Sequence, residues 1–258
     1  MYLAKSIAAS GLRNQQLRID NIANNVANAN TVAFKNTRLD FKDALYTAGI
    51  TPGPPRSPEE NQQKGHGVIV AAITRDFKQG ILQRTERMLD FAIENEGFFS
   101  LSNPNGDTVY TRNGSFHLSV EAGGTFLVNG EGLYVLNSAG ARIQIPFGTT
   151  EIHSDNFGNL YFTDGDDVLG AVALGIFTFR NLHGMESVGG SNFAPTEAAG
   201  ERLAANDAAL RQGVLEGSNI SLADEMTKLI RTQRAFQLAS RALTTADEMQ
   251  GIANNMRR

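Results

Sequence analysis

The chain has no cysteine and no tryptophan among its 258 residues, and only four histidines and seven prolines. Without cysteine there are no disulfides and no thiolate metal sites. The compartment stays open, because cytosol and exterior suit such a chain equally. Long hydrophobic runs are also missing. No apolar stretch approaches the roughly 20 residues of a membrane span. The start, Met1 to Leu12, is interrupted by Lys5, Ser6 and Ser10 and lacks the unbroken apolar core of a secretory signal. A basic excess is absent too: 23 Lys and Arg stand against 27 Asp and Glu, a net charge of −4, and no basic stripe forms. Nucleic acid is therefore not an expected partner.

Recognisable chemistry is equally scarce. His66, His117, His153 and His183 are scattered, with no pair at metal-binding spacing. There is no Gly-x-Ser-x-Gly elbow and no phosphate loop. Gly65-His-Gly67 is too short for a nucleotide site and reads as a turn. The acidic residues Asp155, Asp164, Asp166 and Asp167 lack the ordered ligand spacing of a calcium loop. The expectation is a protein that is not an enzyme and has no catalytic residues, cofactor or metal.

What is present lies at the two ends. In the N-terminal segment Leu12, Ile19 and Val26 recur every seven residues, with Ala8, Ile22, Ala23 and Ala29 on the same side. Near the C-terminus Leu222, Leu229, Phe236 and Leu243 also recur every seven, flanked by Met226, Ile230, Ala239 and Ala246. Spacings of three, four and seven mark one face of a helix, and sustained sevens favour coiled-coil packing. Such helices would be about 40 and 50 Å long at 1.5 Å per residue, longer than one domain of this size needs, so a partner surface is implied. Asn14, Asn21, Asn24, Asn25, Asn28 and Asn30 crowd the first helix. Asn is a weak helix former whose amide competes for backbone hydrogen bonds. Buried, such amides set register; exposed, they make a solvated polar face. Ser221 followed by Asp224 resembles a capping box and marks the start of the last helix.

Between the ends the pattern changes to strands. Runs such as Val68–Val70, Phe98–Leu101, Val109–Thr111, Phe126–Val128, Leu133–Leu136, Ile143–Ile145, Leu160–Phe162 and Ile176–Phe179 are separated by turn signals. These are Asn105-Gly106, Asn113-Gly114, Gly123-Gly124, Asn129-Gly130 and Asp164-Gly165, pairs that tolerate the positive φ of tight hairpins. The segment Thr51 to Gly65 holds four of the seven prolines, Pro52, Pro54, Pro55 and Pro58, and reads as an irregular connector. The expected fold class is α+β: long N- and C-terminal helices form a coiled-coil layer, with a central antiparallel all-β domain inserted between them. The expected divisions are 1–46, an N-terminal helical segment; 47–66, a Pro-rich insert; 67–185, the β domain; 186–220, a returning linker; and 221–258, the C-terminal helix.

The segment from Ser10 to Lys35, SGLRNQQLRIDNIANNVANANTVAFK, resembles the N-terminal signature of flagellar rod and hook proteins. Leu215-Glu-Gly-Ser-Asn-Ile220, Glu225-Met226, Gln233-Arg-Ala-Phe-Gln237 and Thr245-Ala-Asp-Glu-Met249 resemble that family's C-terminal signature. Internal blocks agree as well: Gln79 to Thr85, Leu89 to Ile93, Gly97 to Phe99 and Tyr110 to Phe116. The resemblance covers nearly the whole chain in order. Ala33 departs from it, standing where the family usually has Gly; if the position needs φ > 0, Ala is strained there.

The resemblance implies an axial subunit of the bacterial flagellum, exported by the flagellar type III apparatus without a cleaved signal. It would stack on copies of itself in a helical polymer that does not close and spans the periplasm as a torque-transmitting rod. Other rod proteins would lie below it and the hook protein above, with surrounding ring proteins as further candidate partners and no membrane insertion. The terminal helices would carry the assembly interface through Leu12, Ile19, Ile22, Asn25, Val26, Leu222, Met226, Leu229, Phe236 and Leu243. The insert from Thr47 to Lys64, with Pro52, Pro54, Pro55 and Pro58, resembles the extra segment of distal rod members, thought to stiffen the rod. The alternatives are a proximal rod or hook-type member and, in another class, a secreted filament or adhesin subunit outside the flagellum.

Overall fold

A computed structural model describes residues 2–44, 47–48, 63–64, 67–103, 106–165, 167–205 and 207–256. The expected insert residues Pro52, Pro54, Pro55 and Pro58 lie outside the described residues. The chain divides into two units, one of residues 1–27, 37–76 and 221–258 and the other of residues 28–36 and 77–220.

The first unit is mainly helical. Helix α1 spans Tyr2–Ala27 and helix α2 spans Leu222–Asn255, and the two pack against each other. Ser221 starts α2 as its side chain implies, with Oγ accepting from the Asp224 N–H at 3.4 Å. Between the helices in sequence lies an antiparallel ribbon that pairs Thr37–Asp43 with Val68–Arg75, with a bulge between Asp40 and Phe41. Val68–Val70 thus belongs to a ribbon in the helical unit. A two-residue pair, Thr47–Ala48 with Gln63–Lys64, extends the same excursion.

The second unit is antiparallel β throughout its described strands. Its ten-stranded sheet runs, in order, Gln144–Ile145, Gly124–Asn129, Tyr134–Val135, Phe98–Ser102, Thr108–Thr111, Asn192–Pro195 and Met185–Gly189. Phe116–Glu121 branches from it on Gly124–Asn129, and Ile176–Phe179 with Arg202–Ala204 branches on Phe98–Ser102. A three-stranded sheet, Glu151–Ser154, Asn159–Asp164 and Asp167–Ala173, packs alongside. Two ribbons complete the unit: Phe91–Glu94 with Ala209–Gln212, and Leu82–Arg84 with Val214–Glu216.

Strand Phe98–Ser102 is buried along its whole length. Its alternation explains why the unit has two apolar clusters, since successive side chains point to opposite faces. Phe99 and Leu101 enter one cluster with Phe91, Phe116, Leu127, Ile143, Leu160 and Phe162. Phe98 enters the other with Tyr110, Phe177, Phe179 and Phe193. Edge-on ring pairs, such as Phe99–Phe116 at 5.3 Å and Tyr110–Phe179 at 4.8 Å, fit the quadrupole preference of aromatic rings.

Gly123-Gly124, Asn129-Gly130 and Asp164-Gly165 join paired neighbours as predicted, whereas Asn113-Gly114 connects Thr108–Thr111 to Phe116–Glu121, two strands that pair with others and not with each other. Residues 186–220, marked by composition as a returning linker, carry strands instead. Met185–Gly189 and Asn192–Pro195 pair with each other as a local hairpin, whereas Arg202–Ala204, Ala209–Gln212 and Val214–Glu216 are short and take partners remote in sequence, so no local alternation betrays those three. Asp155 and the pair Asp164 and Asp167 belong to two different turns, and Asp166 lies outside the described residues. Asp155 accepts from the N–H groups of Phe157 and Asn159 at 2.9 and 2.8 Å, whereas Asp164 pairs with Asp167 at the other end of the strand. The hydrogen bond from the Asn159 side chain, helped by the weaker ones from the Asn159 and Phe157 backbones, holds the Asp155 carboxyl below the usual carboxylate range against the opposing effect of burial.

Candidate assembly interface

In the helical unit, ends pair with opposite ends. Lys5 near the start of α1 forms an ion pair with Asp247 near the end of α2. Asn25 near the end of α1 donates to Glu225 Oε2 at 3.3 Å near the start of α2. The two helices therefore run antiparallel. Beside Ala235 and Ser240, the more covered positions along α2 are Glu225, Leu229, Thr232, Phe236, Ala239, Leu243, Ala246 and Gln250. Their steps alternate four and three, the spacing of a single helical seam.

The asparagines of α1 resolve into a working face and a solvated one. Asn14, Asn21 and Asn25 lie seven and four residues apart, hence on one side. Asn14 donates to the Val68 carbonyl, and Asn21 Nδ2 donates to Thr37 Oγ1 at 2.8 Å. Asn25 Nδ2 donates to the Thr37 carbonyl at 2.9 Å, while its Oδ1 accepts from the Thr37 N–H at 3.1 Å. These amides pin the ribbon to α1, and Asn25 ties α2 in as well. Glu225 is 2% exposed and accepts from Lys228 Nζ at 2.6 Å. Asn24 and Asn30 are exposed. Gly67 sits where a Cβ would strike Ser10 Oγ, which accounts for a glycine at the ribbon's approach to the helix.

The expected interface residues fall into three groups. Ile22 and Asn25 are buried within the unit. Leu12, Ile19, Val26, Leu229, Phe236 and Leu243 are half-buried. Leu222 and Met226 remain exposed, at 43% and 53%, and Ile230 joins them at 52%. Farther along α2, Leu238, Met249 and Ile252 are exposed too, as is Met256 just beyond its end. Among the described residues, Ile22 is the one buried hydrophobic of the helical unit, beside four buried polar residues: Asn14, Asn25, Glu225 and Thr232. Every other buried hydrophobic belongs to the β unit.

A second constellation escaped the sequence reading. In the β unit the arm Asn28–Asn36 lies along the segment before α2. The Ala33 N–H donates to the Glu216 carbonyl at 2.8 Å, the Asn36 N–H donates to Asn219 Oδ1 at 2.7 Å, and the Asn219 N–H donates to the Phe34 carbonyl at 3.4 Å. The fully buried Lys35 ammonium donates to Glu216 Oε1 at 2.5 Å and to the Lys78 carbonyl at 2.7 Å. The Gly80 N–H donates to the same Glu216 oxygen at 2.9 Å. Arg112 approaches the other oxygen, with Nε 3.6 Å from Oε2, and its guanidinium donates to the Ile93 and Asn95 carbonyls at 3.3 and 2.7 Å. Burial lowers the Arg112 pKa, opposed by the charges of Glu216 and Glu96. At Gly80 a Cβ would strike the Gly217 carbonyl, so only glycine permits this close crossing of chains. A lone lysine beside aromatic and Asn residues carries no sequence signal for burial; its position at the end of one terminal signature, with Glu216 in the other, was the available clue. Ala33 itself has φ +56° and is fully buried, so the position does require the left-handed conformation.

The chain matches the family model described as flagella basal body rod protein over residues 6–35. It also matches the D1 domain of the flagellar hook protein FlgE/F/G over residues 92–168, and the C-terminal model of the flagellar basal body rod FlgEFG protein over residues 211–256. It is similar to the flagellar basal-body rod protein FlgG of Borreliella burgdorferi, 35% identical over 260 residues that cover 97% of each chain. FlgG of Bacillus subtilis is also 35% identical, over 96% of this chain and 97% of its own. The flagellar hook-basal body complex protein FlhP of Bacillus subtilis is 31% identical over 99% of this chain and its own full length. The outer two family models end and begin within 5 residues of the Lys35–Glu216 pair: Lys35 closes the first, and Glu216 follows the start of the last.

Proposed function

The chain belongs to the flagellar basal-body rod protein family, and on that premise we propose that it builds the distal part of the rod. It is a structural subunit of the rod and not an enzyme, and it joins copies of itself and other rod and hook components. The alternative of a filament or adhesin subunit outside the flagellum gives way to that membership. In the proposed assembly the terminal helices of many copies form a coiled-coil inner layer, and the polymer is a helical tube that carries torque to the hook. The Pro-rich insert of residues 47–66 stiffens it, because proline lacks a soft φ. Surrounding ring proteins are further proposed contacts, and the chain reaches the rod through the type III apparatus without a cleaved signal.

The carrying observation is the thin interior of the helical unit. With Ile22 its one buried hydrophobic among the described residues, and with Leu222, Met226, Ile230, Leu238, Met249 and Ile252 exposed along α2, the helices offer apolar surface that a neighbour would cover. Exposed residues make cleaner probes of assembly than Phe236, which is half-buried within its own unit. The double variant Met226→Glu, Ile230→Glu should leave the stability of the isolated chain within about 0.5 kcal/mol while abolishing rod growth and swimming. Complete, hook-bearing rods built from that variant would overturn the proposal. Electron microscopy of basal bodies lacking this chain then separates positions: a rod that stops short of its outer part marks a distal subunit, and one that fails near its base marks the proximal alternative.

A further inference from the structure

The buried charges of the β unit form a cluster supplied by three separate stretches of chain. Arg112 belongs to the body of the unit, held by carbonyls of Ile93 and Asn95 and lying 5.6 Å from the ring centre of Phe98. Lys35 arrives with the N-terminal arm. Glu216 arrives 181 residues later with the last strand of the unit. Glu216 is the hub, because Lys35, Gly80 and Arg112 all converge on its carboxylate. A buried ammonium is tolerable only with a compensating anion in place, so Lys35 has no reason to enter before Glu216 does.

The backbone repeats this dependence. Ala33 and Asn36 take their partners from Glu216 and Asn219, and Phe34 gives its carbonyl to Asn219. The first strands of the β unit wait for the same segment: Leu82–Arg84 pairs with Val214–Glu216 and Phe91–Glu94 pairs with Ala209–Gln212. Closing so long a loop comes late in folding, since its entropy is lost before its contacts form.

We propose that Lys35, Glu216 and Arg112 form a latch that locks the arm Asn28–Asn36 onto the β unit only after the segment Ala209–Asn219 has joined it. The first part of the chain thereby stays unlocked until nearly all of the chain is available. The inference goes beyond the rod assignment and does not depend on it. The three groups are not equivalent. Without Lys35, the Glu216 carboxylate keeps Gly80 and Arg112; without the carboxylate, both buried cations lose the anion they share. A Lys35→Glu, Glu216→Lys swap should not rescue, because it sets an ammonium beside the Arg112 guanidinium.

Pulse-labelled amide hydrogen exchange during refolding of the full chain tests the order. The Ala33 and Asn36 amides should gain protection together with those of residues 214–216, after strand Phe98–Ser102. Protection of Ala33 before residues 214–216 would overturn the proposal. At equilibrium, Lys35→Met should raise exchange at Ala33 and Asn36 at least tenfold and leave Phe98–Ser102 unchanged. An arm as protected as in the wild type, or uniform loosening of the whole β unit, would refute the latch. Glu216→Gln provides the second variant, and should release the arm and also expose residues 79–84.

Discussion

In the β unit, Phe91, Phe99, Phe116 and Leu127 are sealed from solvent by two sheets and each other, and even the buried charges of Lys35 and Glu216 meet opposite charges inside. In the helical unit the burial pattern is reversed. Amides, a carboxylate and a threonine occupy its interior, while leucines, isoleucines and methionines of α2 face outward. The first arrangement is complete within one chain. The second specifies direction and register through Asn14, Asn21 and Asn25 but leaves much of its apolar surface without a cover. In the proposed assembly this is a division of labour: the β unit carries its own apolar core, and neighbours would complete the helical unit.

The contrast can be broken most forcefully in the β unit. Phe99→Ala removes a fully buried ring from the first cluster and should cost about 3–5 kcal/mol, read by denaturant unfolding through the near-ultraviolet signal of the buried Tyr110. A loss below 1 kcal/mol would mean that the sheet interior is looser than its burial implies. Asn25→Ala tests whether the polar interior of the helical unit matters at all. It leaves the Thr37 N–H and carbonyl without their amide and should cost about 1–3 kcal/mol, detected as faster exchange at Thr37. A neutral result would reduce those amides to decoration.

A smaller effect concerns the turn at Asp155. Its folded pKa is depressed, so the stabilisation is present above the ordinary carboxylate range, near pH 3.9, and is lost as pH falls through the folded value. The amide resonances of Phe157 and Asn159 should hold steady down to about pH 4 and move only in stronger acid. Movement centred near neutrality would contradict the hydrogen-bonded geometry. Smallest of all should be Ala33→Gly. Relief of the left-handed strain, about 1 kcal/mol, is offset by losing a buried methyl worth about 0.8 kcal/mol, so thermal melting should barely shift. A clear gain would mean that the methyl packs poorly.

The helices were legible because their sevens are local: Leu12 to Val26 and Leu222 to Leu243 can be read with no knowledge of partners. Hairpins at Gly123-Gly124 and Asp164-Gly165 were legible for the same reason. Strand Ala209–Gln212 was not, since it takes its meaning from Phe91–Glu94 more than a hundred residues away. Nor could the sequence say that Asn25 would reach Thr37 and Glu225 while Asn24, its neighbour, would face solvent. Periodicity identified Leu222 and Leu229 alike, and only the end of α1 near Glu225 explains why one is exposed and the other half-covered. Lys35 and Glu216 stood in the two terminal signatures, yet no spacing rule joins a lysine to a glutamate across 181 residues.

The scarcity of buried hydrophobics around Ile22 changes what stability means for the helices. In the proposed assembly neighbours complete this region, and its folding equilibrium then follows mass action. Its melting point is then a function of how many copies are present. In dilute solution α1 and α2 would be measured at their weakest, while each added copy of the same chain would raise the figure. For this part of the molecule, the natural unit of stability is a concentration.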